Sequence, residues 1–209
     1  ADFVDVFTGT AHSRWMIAPG PWMPFGMVKL SPENQDQHWI AGYDYPLEHI
    51  NGFSHIHEWT MAGLLMMPTV GPLKTRPGTE QNPTGGYSSR FDKSSERAGI
   101  GFYEVFLKDY GIKAELAATT RAGLQRYTFP KSDEARVLVD LEFPAEYKFS
   151  VEDAVVRRVS DTELEGSSVQ RSPSVWFPGD EQLYTVHFVL QFSKPFEALR
   201  GWLGTNILV

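Results

Sequence analysis

The chain has 209 residues, of which 42% are apolar and 22% charged, and its formal net charge is −7. That length suits one large domain or two small ones, and the composition supports a real core rather than a disordered chain. With 19 basic residues against 26 acidic ones there is no basic stripe for phosphates, so nucleic acid is not an expected partner, and the lack of cysteine excludes disulfides, thiolate zinc sites and cysteine nucleophiles.

No apolar run approaches the ~20 residues that cross a bilayer, so no membrane span is expected. The sequence opens with ADFVDVFTG and shows no charged-then-apolar leader. Either the chain is cytosolic or a signal peptide has been removed, and Ala1 in place of Met favours a processed chain. Aromatic residues reach 13%. Their rings stack on sugars and bases, and large β-cores use them equally well.

Taken in order, most of the chain predicts strand, broken into short pieces by eighteen glycines and fourteen prolines. Phe25 to Leu30 reads as a strand after the turn Pro19-Gly20-Pro21. A short helix fits Pro46 to His49. Leu64 to Met67 is an apolar run closed by Pro68, a buried strand. Arg76 to Arg97, rich in Gly, Ser, Thr and Pro, reads as one long surface loop. Tyr103, Val105 and Leu107 face one way while the other face mixes Phe102 and Phe106 with Glu104 and Lys108, Asp109-Tyr110-Gly111 turns the chain, and Ile112, Ala114, Leu116 and Ala118 continue the alternation. Ala122 to Phe129 and Ala135 to Leu141 read as another pair, joined by Pro130 to Glu134. Val155 to Val159 and Glu163 to Glu165 flank Ser160-Asp161-Thr162 as a further hairpin. Tyr184, Val186, Phe188, Leu190 and Phe192 put an apolar residue at every second position. The apolar tail Ile207-Leu208-Val209 is a last strand or a cut edge. Turn signals recur at about 8–12 residues, the spacing of sandwiches and barrels. The fold class is therefore all-β, a single large antiparallel sandwich.

The segment Gly42 to Gly71 concentrates the chemistry. It carries His49, His55 and His57, the acids Asp44, Glu48 and Glu58, and Trp59, just ahead of an apolar run. On a strand, His55 and His57 would share a face. With Glu58, Asp44 or His49 as a third ligand they could chelate zinc or iron. The same pair could instead hydrogen-bond in a polar cleft, or be structural. Trp39, between Asp36-Gln37-His38 and Ala41-Gly42-Tyr43, suits a sugar platform or a loop tryptophan folded back on the sandwich. Trp59 has the same two readings. Trp15 and Trp22 could line a pocket or cap a core. No Gly-x-Ser-x-Gly elbow, phosphate loop or dinucleotide fingerprint is present.

Several blocks in order resemble one known family: PFGMVKLSP (24–32), GYDY (42–45), GFSHIH (52–57), LLMMPTVG (64–71), GGYSSRFDKSSE (85–96), DYGIKAELAATTRAGLQRYTFP (109–130) and FSKPF (192–196). Together they resemble the N-terminal domain of glycoside hydrolase family 92, bacterial and mostly exo-acting α-mannosidases. The resemblance implies a sandwich of the galactose-mutarotase-like supersandwich type, followed in the whole enzyme by a helical (α/α) domain. It implies calcium dependence and inversion, with the catalytic carboxyls and calcium ligands in the helical domain. No catalytic residue, metal ligand or cofactor is thus assigned to this chain, and a periplasmic or secreted location is expected.

The resemblance places Trp39 where a tryptophan contacts the leaving-group sugar, and His55 and His57 on the segment facing the cleft. With Glu58 and Trp59 these form the expected substrate-binding set. Two stretches depart from the family pattern, Glu58 to Gly63 and Ala11 to Ile17. Both add bulk at the expected pocket wall, so the sugar or linkage accepted is expected to differ. The expected partners are a mannose-containing glycan and the chain's own helical domain. The alternative is a stand-alone carbohydrate-binding protein.

Overall fold

The computed structural model describes residues 3–11, 17–34, 42–56, 63–143, 150–174 and 177–208. Among these, regular structure is strand, with two single-turn 3-10 segments and no α-helix. In chain order the strands are β1 (Ser31–Glu33), β2 (His49–Ile50), β3 (Gly52–Ser54), β4 (Leu65–Thr69), β5 (Ser89–Arg90), β6 (Arg97–Gly99), β7 (Phe102–Leu107) and β8 (Ile112–Ala118). They continue with β9 (Gly123–Thr128), β10 (Arg136–Asp140), β11 (Ser150–Arg158), β12 (Glu163–Ser172), β13 (Gln182–Gln191), β14 (Gly201–Leu203) and β15 (Asn206–Leu208).

Three sheets make the body, in the orders β1-β3-β4-β10, β6-β7-β8-β9 and β11-β12-β13, all with antiparallel pairing. The alternation in the sequence sets the faces. Tyr103, Val105 and Leu107 on β7, with Ile112, Ala114 and Leu116 on β8, are buried together. Opposite them lie Phe53, Leu65, Met67 and Leu138 from the β1-β3-β4-β10 sheet. The other face of that sheet sends Leu64 and Met66, with Val137 and Val139, into a second cluster holding Leu164, Phe188 and Leu190. The β1-β3-β4-β10 sheet is therefore a middle layer. This explains why Leu64 to Met67 is continuously apolar rather than alternating: a strand covered on both faces has no polar side. Each large side chain so buried stabilises the fold by roughly 1.5–3 kcal/mol. On its outer face the β6-β9 sheet carries a ladder of charges, with Arg97 on Glu104, Lys113 on Glu104 and Glu115, and Arg126 on Glu115.

The antiparallel sandwich expected from sequence is present, and so are the β7–β8 and β11–β12 hairpins. Five local expectations are corrected. Phe25 to Leu30 is no strand: Phe25 has φ 57°, and the segment is a turn joined to its surroundings by an isolated Trp22–Lys29 bridge. Ala122 to Phe129 does not pair with Ala135 to Leu141. β9 pairs with β8, while β10 crosses to the middle sheet and pairs with β4. Pro68 lies inside β4 rather than closing it. β3 pairs only with Leu65 and Met66, so at Pro68 one side of β4 is an edge, where a missing N–H is tolerated. Pro46 to His49 is a turn, in which the Leu47 N–H donates to the Asp44 carbonyl, followed by β2. Residues 76–97 are not a mere surface loop, because Tyr87 and Phe91 are fully buried in the core. The tail Gly201 to Leu208 forms a small hairpin, β14–β15.

Candidate functional site

Two chain segments that carry the expected sugar contacts rise from the middle sheet. Trp39 lies within 35–41, and His57, Glu58 and Trp59 within 57–62; all four are outside the described residues. Their stems are described. β1 and β3 are antiparallel neighbours, with Ser31 opposite Ser54 and Glu33 opposite Gly52. Because the pair is antiparallel, the described chain reaches residue 34 beyond one end of it and residue 56 beyond the other.

The first stem is closed by Asn34. Its backbone N–H donates to the Gly42 carbonyl at 2.7 Å, and its side-chain amide exchanges bonds with the Asp44 backbone at 3.0 and 2.7 Å. Beneath it, the Glu96 carboxylate accepts from the hydroxyls of Tyr43 and Tyr103, both at 2.7 Å, and from Lys93 Nζ at 2.9 Å. That ammonium also lies over the ring of Tyr45, 4.3 Å from its centroid. Burial, reinforced by the adjacent carboxylate, pushes both buried phenols above their ordinary range.

The second stem is built around His55. A carbonyl only accepts, so Nδ1 carries the proton that it donates to the Leu64 carbonyl at 2.9 Å. Nε2 must then accept from the side-chain amide of Gln125 at 3.1 Å. Gln125 Oε1 in turn accepts from the Tyr127 hydroxyl. The ring is held neutral in one tautomer, and burial lowers its pKa. With both nitrogens engaged by protein, His55 has no lone pair for a metal and no free base. This geometry fits a hydrogen-bonding or a structural histidine. Leu64, whose carbonyl His55 holds, has φ 55°, a conformation that bulky residues rarely adopt. Gly63 before it has φ 122°, and a Cβ there would stand 2.5 Å from Gln170 Nε2. Gln170 is fully buried, donates to Ser168 at 2.9 Å and accepts from Tyr184 at 2.7 Å.

Glu33 lies on the same face as Ser54 and accepts from its hydroxyl. Burial pushes its carboxyl up to about 8, with the Ser54 bond opposing. Trp22 caps the neighbouring chain, donating to the Leu30 carbonyl at 3.2 Å with Lys29 against its ring. Gln125, Tyr127 and Gln170 escaped the sequence reading. A polar Gln125 at an inward position of β9 was the available signal. Among the described residues no three His, Asp or Glu side chains gather as a metal site.

The model of the glycosyl hydrolase family 92 N-terminal domain matches residues 3–208. The fold is similar to that of a family 92 α-mannosidase from Bacteroides thetaiotaomicron, at 30% identity and a TM-score of 0.87, covering 100% of this chain and 28% of that one. The same α-mannosidase in complex with mannoimidazole gives 32% identity and a TM-score of 0.84, with 95% and 26% coverage. An inverting family 92 mannosidase from Bacteroides thetaiotaomicron VPI-5482, at 19% identity, a TM-score of 0.60 and 94% and 30% coverage, supports the fold alone. Comparison with curated proteins gives no match. The chain thus spans less than a third of the length of these solved relatives.

Proposed function

This chain belongs to glycosyl hydrolase family 92 as its N-terminal domain, and from that premise we propose that it forms the leaving-group wall of a mannoside cleft in a larger α-mannosidase. The observation that carries this is the match over its whole length, at 30% identity, to an α-mannosidase. In this reading Trp39 is the stacking platform for the leaving sugar. His57, Glu58 and Trp59 contact the substrate, and His55 fixes the stem from which they rise.

Glycosidic hydrolysis needs an acid and a base flanking the scissile bond, ~6.5–9.5 Å apart for inversion. The two buried carboxyls of the middle sheet, Glu33 and Asp140, are committed to Ser54 and Tyr87. Following the family resemblance, we place the catalytic pair, and the ligands of a calcium ion, in the remainder of the parent protein. The departures from the family pattern at Glu58 to Gly63 and Ala11 to Ile17 change the sugar or the linkage accepted, and the parent protein works in the periplasm or outside the cell.

The test is hydrolysis of mannobiose and an aryl α-mannoside, by the full-length protein with calcium and by this chain alone. Turnover by the former only, weakened by Trp39→Ala, is the expected result. Turnover by the isolated chain defeats the proposal. So does tight binding of mannose oligosaccharides by the isolated chain in titration calorimetry, which would mean a complete sugar site and a stand-alone binding protein.

A further inference from the structure

The turn Pro24 to Met27 is held rigidly at its base. The Gly26 N–H donates to the Met23 carbonyl at 2.9 Å, the Met27 N–H to Thr120 at 2.7 Å, and the Lys29 N–H to His55 at 3.0 Å. Its tip is apolar. Phe25 has the left-handed φ of 57° and is 103% exposed, and Met27 is 75% exposed. Scattered exposed apolar residues need no explanation. A bulky residue kept in a rarely populated backbone region, with its ring turned wholly to solvent, does need one, because such conformations persist where something else rewards them. Nothing in the described domain covers this ring. The anchor through the His55 carbonyl also puts the turn at the rim of the candidate site.

We infer that the Phe25–Met27 turn is a docking knob that seats in an apolar socket on the remainder of the parent polypeptide, beside the sugar cleft. The occupant follows from proportion: this chain covers 28% of a solved relative that it matches along its entire length, so most of the covering surface belongs to the same polypeptide. The inference rests on the proposed function only in taking the domain as part of a larger enzyme. It does not depend on which sugar is cleaved.

Hydrogen peroxide oxidation followed by peptide mass spectrometry reads the cover directly, since exposed methionines oxidise and enclosed ones resist. Met66 and Met67, 7% and 1% exposed, are internal controls that stay slow in any folded sample. Met27 should oxidise rapidly in the isolated chain and about tenfold or more slowly in the full-length protein. Phe25→Ala should restore much of the Met27 rate in the full-length protein and change nothing in the isolated chain. Equal Met27 rates in the two proteins overturn the inference. Protection that grows with the concentration of the isolated chain also overturns it, pointing to a second copy. Protection in a full-length protein that cleaves no mannoside leaves the docking knob standing and removes the proposed activity instead.

Discussion

Acidification should weaken this domain through His55, by an amount that can be worked out. The unfolded imidazole titrates near 6.5, and burial lowers the pKa of the folded one. Between those two values the unfolded chain takes up a proton that the native ring refuses, so stability is complete above the unfolded pKa and declines as pH falls. The loss attributable to His55 grows through that interval, at a rate of at most ~1.36 kcal/mol per pH unit. His55→Asn isolates this contribution. Its amide can still donate to the Leu64 carbonyl, but it cannot accept from Gln125 and cannot titrate. Above the unfolded pKa the variant should be less stable by about 1–3 kcal/mol, the cost of an orphaned buried donor. Toward acid that gap should narrow by up to ~1.4 kcal/mol per pH unit, because only the wild type is losing ground. Urea unfolding of both proteins across the interval from neutral to mildly acid pH measures it, and the other histidines cancel in the difference. A gap that stays constant with pH would refute the assignment of a neutral, doubly engaged His55.

Gly123→Ala would place a Cβ 3.0 Å from His55 Cδ2 and 3.2 Å from its Nε2. A ring pinned at both nitrogens cannot yield freely, so a loss of about 1–3 kcal/mol is expected, with a displaced His55 ring signal by NMR as the check. Tyr103→Phe removes a 2.7 Å bond to the buried Glu96 and should cost about 1.5–3 kcal/mol in urea unfolding. Combined with Tyr43→Phe it should be non-additive, since both hydroxyls meet the same oxygen. Glu115, on the outer ladder, is held down to about 2 chiefly by its hydrogen bond from Arg126. Its contribution is present above the ordinary carboxylate pKa near 4.5 and fades as pH falls toward 2. Glu115→Gln should flatten that part of an acid unfolding curve followed by circular dichroism, and salt should blunt the difference.

What sequence disclosed here depended on whether one strand's own pattern held the answer. The alternation of Tyr103, Val105 and Leu107 identified both the strand and its inner face, because one side meets core and the other meets water. Pairing was harder. Pro130 to Glu134 has the length of a hairpin loop, yet β9 is already matched to β8, and the link carries the chain to another sheet. Alternation shows which residues point inward, never across which edge. Residues 76–97 misled through composition: Gly78 and Gly86 are there because Pro83 and Pro77 backbone atoms pass about where a Cβ would sit, and the same crowding buries Tyr87 and Phe91. At the site, His55 was legible as a polar residue at the end of a strand. Its partner Gln125 lies 70 residues away, a proximity that only the folded sheets create.

The middle strand raises a problem of alignment. Leu64-Leu65-Met66-Met67 is two identical pairs, so sliding it by one place would exchange the occupants of the two cores at almost no loss of apolar volume. Hydrophobicity alone leaves that choice nearly degenerate. What breaks the tie is the bond from His55 to the Leu64 carbonyl, together with Pro68 further along. His55 therefore acts as an indexing pin for the interior. Removing its donor altogether, as in His55→Leu, should produce a second, slowly interconverting folded population rather than a uniformly softer protein.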